Sequence, residues 1–293
     1  MRETGLFFLY LFVCLIGAAV LTVPLMQTGW LDYPPQRVMG RLAQIFILLG
    51  LWPFLRWRGL ATRQALGYGV ARDRLARAVA LGWFAGVAIL LALILALLSL
   101  DVRVLDPTPE GGAAWLVAKA LQALVAGLLI AVLEETFFRG ALYAGIRRTK
   151  GIAAAVGWSA LLYALLHFMK PSGLPDGVAF DWVGALQMFL HVFAGVLQWS
   201  HLDSLAALFL VGVFLALVRE RSGHIGWCIG LHAGWVFVIQ VTRRLTDGDA
   251  DARLAFLAGD YDGVIGWLAA VWIGLLAVAF WRGSAASSSG RAD

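Results

Sequence analysis

Long apolar runs separated by short polar stretches dominate the chain. About 20 apolar residues cross a bilayer core. On that ruler residues 5–25 are a first span, 42–55 a shorter second, 79–100 a third and 113–133 a fourth. Residues 152–169, 205–218, 225–241 and 264–281 complete a set of eight. Residues 182–199 are ambiguous. If they cross, Arg219 and Arg221 fall outside; if they re-enter or lie at the interface, those arginines are cytoplasmic, which the positive-inside rule favours. The pattern therefore predicts an all-α polytopic membrane protein, a bundle of about eight transmembrane helices with one additional re-entrant or interfacial helix.

Charge sets the orientation. Arg56, Arg58, Arg63, Arg72, Arg74 and Arg77 form the strongest basic segment, and the rule puts it and the amino terminus in the cytoplasm. The expected location is the cell's inner membrane. An acidic loop with Asp101, Asp106 and Glu110 lies on the far side. The first span follows Arg2 and lacks a small-x-small cleavage site, so it reads as an uncleaved anchor. The expected division is three helices with a basic loop over 1–112, a core over 113–241, a final span over 242–282 and a disordered tail over 283–293.

Composition agrees and narrows the function. The chain is 61% hydrophobic and 14% charged, with a mean hydropathy of +0.82, against about 25% charged residues in soluble domains. The net charge of +5 sits in loops beside spans, so it marks membrane orientation and not nucleic-acid binding. Cys14 and Cys228 lie in apolar stretches and read as packing residues. Asn is absent.

Against this background Glu134 and Glu135 stand out. An ionisable side chain at membrane depth costs about 2.5–3.5 kcal/mol even on the lenient insertion scale. Glu135 and Arg139, four apart on a helix, can pair. One residue turns a helix by about 100°, so Glu134 points elsewhere. Two histidines arrive from other spans. His167 lies four residues after Tyr163, on one helix face, and His232 lies among Gly230, Ala233 and Gly234, small residues that let helices approach. A carboxylate and two imidazoles are the ligands of a catalytic zinc with one position left for water. The same groups can activate water without metal. Both possibilities stand at this point. His191 reads as structural or interfacial, His201 and His224 as facing headgroups or water, and Lys119 as snorkelling.

Glu134-Glu135-x-x-x-Arg139, then Tyr163-x-x-x-His167, then His232 in a small-residue helix resembles the CAAX protease and bacteriocin-processing (CPBP, or Abi) family of intramembrane proteases. The stretch Arg219-Glu220-Arg221-Ser222-Gly223-His224-Ile225 resembles the turn before that family's last motif. The resemblance covers residues 113–240. It implies a helical bundle around a water-reachable cavity open to the cytoplasm, and a hydrolase acting on a membrane-associated peptide or protein, prenylated or bacteriocin-type. Carried over by motif, Glu134 and His167 activate the water, Glu135 and Arg139 support the site, and His232 stabilises the oxyanion. If the enzyme is a metalloprotease, Glu134, His167 and His232 are the ligands of zinc or another divalent metal. One position departs from the pattern: Val236 stands where the family commonly has Asn, and Gln240, two turns past His232, is the nearest amide. A catalytically impaired immunity or scaffold protein is the alternative. A transporter is disfavoured by the absence of repeats and of a pair of broken helices.

Overall fold

Every apolar run folds as a helix. In the computed structural model, which describes residues 2–106, 111–175, 177–178 and 180–289, the order is α1 (Arg2–Gln27), α2 (Pro35–Trp57), α3 (Arg72–Ser99), β1 (Arg103–Leu105) and α4 (Ala113–Glu135). A π-helical turn (Thr136–Leu142) leads into α5 (Tyr143–Phe168). Then come α6 (Trp182–Ala194), α7 (Leu202–Ser222), α8 (Gly226–Leu245), β2 (Thr246–Gly248) and α9 (Trp267–Ser289). Five helical stretches are long and apolar enough to cross a membrane. The protein is an all-α, multi-pass membrane protein. Glu110, assigned to the acidic loop, lies outside the described residues.

One helix boundary differs from expectation. The second helix begins at Pro35, well before residue 42, because Pro is pre-shaped for a first helical turn and Arg37 and Arg41 lie on its exposed side. The last helix is described through Ser289, and residues 290–293 of the expected tail lie outside the described residues.

The chain forms two compact units, Met1–Ala61 with Ala164–Trp199, and Thr62–Tyr163 with Ser200–Asp293. Within the second unit α3 lies along α8, and α9 along α7. In the first unit α1 and α2 form an antiparallel hairpin joined by α6. Ala18, Ala19, Ala43 and Ala185 keep these backbones close around Val23, Met39 and Met188.

The second unit is built on the α3–α8 crossing. Gly82 and Gly86 of α3 face Gly230 and Gly234 of α8. A Cβ at Gly82 would meet the Trp227 carbonyl at 2.8 Å, and one at Gly234 the Val87 nitrogen at 2.9 Å. Two small-xxx-small motifs thus meet backbone to backbone. Gly86→Leu is expected to lower stability by at least about 1–3 kcal/mol, the usual cost of overpacking. Gly157→Leu, with open space at its Cβ position, is the control. Thermal unfolding in detergent measures both; equal midpoints would remove the crossing from the account.

β1 pairs antiparallel with β2, Val104 opposite Asp247, which ties the end of α3 to the end of α8. The 13 residues of α6 span about 20 Å at 1.5 Å per residue, short of a bilayer core.

Buried Arg103 fastens that end. Its Nε donates to Thr246 Oγ1 (2.7 Å), Nη1 to the Gly263 carbonyl (2.7 Å) and Nη2 to the Thr246 carbonyl (2.5 Å).

Candidate active site

Small residues bring the chemistry together. Ala131 on α4 packs against Ile225, Ile229 and Ala233 of α8, one turn before Glu135. With no bulk between the helices, Glu135 reaches His232. Its Oε1 lies 2.8 Å from His232 Nδ1 and 3.2 Å from Arg139 Nη1. A carboxylate oxygen only accepts, so Nδ1 carries the proton. Arg139 Nη2 also donates to the Gly212 carbonyl at 3.3 Å, and its guanidinium lies 4.4 Å over the Tyr163 ring. Tyr163 in turn meets His232 edge-on, centroids 6.2 Å apart. Glu135 and Arg139 are both 0% exposed. This pair is a buried scaffold, not the surface ion pair that its helical spacing alone suggests.

Glu134 differs from its neighbour in every respect that matters. It retains about a third of its exposure (32%), and its Oε2 stands 3.9 Å from His232 Nε2. That oxygen is shielded and has no hydrogen-bond partner among the described residues. His232 is thus held at Nδ1 and presents Nε2 toward a carboxylate that is not otherwise occupied.

The π turn after Glu135 and the start of α8 are fastened by one loop, residues 62–70. Tyr68 hydroxyl lies 2.6 Å from Thr136 Oγ1, which also donates to the Val132 carbonyl. Gly67 (φ +80°) accepts at its carbonyl from Ile225 N–H, 3.1 Å. Gly140 lies so close that a Cβ would stand 3.0 Å from the Leu66 carbonyl. Burial pushes the Tyr68 phenol up, Thr136 pulling it down and the Glu135 charge adding to the rise. No periodicity marks this loop in the sequence, nor the π turn, which are tertiary features.

Gly223 at φ +73° caps α7, as the turn motif requires. His224 corrects an expectation. It is buried, not turned to headgroups or water, and its Nδ1 accepts from Gly226 N–H at 3.1 Å. Burial, then Arg219 and Arg74, lowers its pKa. His191 is exposed on α6. Lys119 lies 5.7 Å over the Trp115 ring. Cys14 and Cys228 are free and buried; Cys228 donates to the Leu215 carbonyl.

His167 occupies the last turn of α5, in the first unit, whereas Glu134, Glu135, Arg139 and His232 belong to the second. Among the described residues no three His, Cys, Asp or Glu side chains are grouped as a metal requires. Val236, one turn past His232, packs toward α4, its Cβ and Cγ1 3.5 Å from the Cβ position of Gly127. Gln240 stands eight residues from His232, about 12 Å along the helix axis, too far to share its site.

These side chains lie within a multi-pass helical membrane protein. Residues 114–238 match the family model described as Type II CAAX prenyl endopeptidase Rce1-like, which agrees with the CPBP resemblance. No curated protein and no solved structure matches the chain.

Proposed function

We propose that the chain is an intramembrane endopeptidase that hydrolyses a peptide bond in a membrane-associated substrate, prenylated CAAX-type or bacteriocin-type, by a water that Glu134 activates. The observation that carries this is the contrast between the two adjacent glutamates. Glu135 is consumed in holding Arg139 and His232, while Glu134 lies beside His232 Nε2 with an oxygen that makes no hydrogen bond among the described residues.

In the proposed reaction Glu134 takes a proton from water, and the oxygen attacks the scissile carbonyl. His232 in its imidazolium form, balanced by Glu135 at Nδ1, donates from Nε2 to the oxyanion. Glu134 then returns its proton to the departing amine as the C–N bond breaks. His167 enters from the sequence motif, as a partner of Glu134 in handling the proton. Glu135 and Arg139 act through His232 as positioning residues. The test is cleavage of a farnesylated CAAX peptide by the reconstituted protein, with Glu134→Gln and His167→Ala alongside. The orientation proposed is that of the inner membrane with the amino terminus in the cytoplasm, supported by the arginines of the α2–α3 loop.

Val236 is what favours a second reading, a CPBP-fold protein that binds without turning over. If the missing donor limits an active enzyme, Val236→Asn should raise turnover, up to on the order of 10²–10³, the range associated with one oxyanion donor. Turnover unchanged from a measurable wild-type rate would mean that another donor serves.

A further inference from the structure

The α1–α2 hairpin carries a groove of about 490 Å³ at the end opposite Arg56 and Arg58. Leu25, Leu31, Val38, Leu42 and Ile45 make its apolar lining, and Tyr33, Arg37 and Arg41 its polar part. Among the described residues no carboxylate lines it. Arg37 and Arg41 are one turn apart on α2, so they share a face. Arg37 lies 6.0 Å from the Tyr33 ring, and Arg41 donates to Gln44 at 3.2 Å. Among the described residues neither pairs with a carboxylate. From Ile45 the same face of α2 continues as an exposed apolar stripe through Leu48, Leu49 and Trp52. The distance from Arg41 to Trp52 is about 16 Å at 1.5 Å per residue, the length of much of one acyl chain.

We propose that this hairpin binds an anionic phospholipid, its phosphate between Arg37 and Arg41, its glycerol region in the groove and an acyl chain along Ile45, Leu48, Leu49 and Trp52. Charge complementarity selects the occupant. A guanidinium pair beside an apolar floor matches a phosphodiester joined to hydrocarbon, and a zwitterionic lipid would bring its own cation against the arginines. The site is independent of the proposed proteolysis.

The test uses the full chain in phosphatidylcholine nanodiscs with a trace of photoactivatable phosphatidylglycerol, crosslinks being mapped by peptide. Labelling is expected within residues 25–52, displaced by phosphatidylglycerol and not by phosphatidylcholine or inorganic phosphate. R37Q/R41Q should cut that labelling by roughly tenfold or more, the scale of two charges beside an anionic lipid. R37K/R41K should keep most of it, which separates loss of charge from loss of fold. Labelling that phosphatidylcholine displaces equally, or that survives R37Q/R41Q, would overturn the proposal. Displacement by inorganic phosphate as effective as by the lipid would do the same.

Discussion

Glu134→Gln is expected to lower peptide hydrolysis by about 10²–10⁴, the range a positioned general base contributes, with stability unchanged or slightly higher. The substitution keeps shape and removes charge. Glu134 is partly exposed, and its shielded oxygen makes no hydrogen bond among the described residues, standing 3.9 Å from His232 Nε2, so little native interaction is lost. Binding of the substrate should persist, and the defect should fall on kcat and not on KM, because the missing group acts on the attacking water. Glu135→Gln is the informative neighbour. It removes a charge that faces Arg139 and His232 in full burial, so it should lower stability and activity together. Full activity in a folded Glu134→Gln protein would end the proposed mechanism; loss of activity only in step with loss of fold would mean that Glu134 is structural.

Arg139→Met is expected to cost about 3–5 kcal/mol of stability, the penalty for leaving one member of a buried ion pair without the other. Four contacts disappear at once: the bond to Glu135, the bond to the Gly212 carbonyl and the placement over the Tyr163 and Phe138 rings. Glu135 is then a carboxylate at membrane depth whose remaining partner is His232. Arg139→Lys should not rescue, since an ammonium cannot reproduce a planar fork that also stacks on a ring. The double variant Glu135→Gln/Arg139→Met should recover part of the loss, because no uncompensated charge remains. Thermal unfolding of the purified variants in detergent measures all three. A double variant as damaged as the sum of its single substitutions would show that the pair is not the unit of stability here.

Much of the site was legible before folding. Glu135 and Arg139 are four apart, and the structure keeps them paired even though the segment between them opens as a π turn. Gly230 and Gly234 announced a close helix crossing, and α3 supplies the matching Gly82 and Gly86. His224 was misjudged because proximity to a span end says nothing about what folds over it.

The linear pattern determined the helices themselves, their membrane character and which ionisable groups sit too deep to be incidental, because hydrophobic length and helical period are local properties. It left the role of the segment at 182–199 open. It paired Glu135 with Arg139 by spacing and turned Glu134 elsewhere. Only the tertiary structure brought His232 and the Gly212 carbonyl to that pair, because which neighbours reach a buried ion pair depends on how separate helices pack.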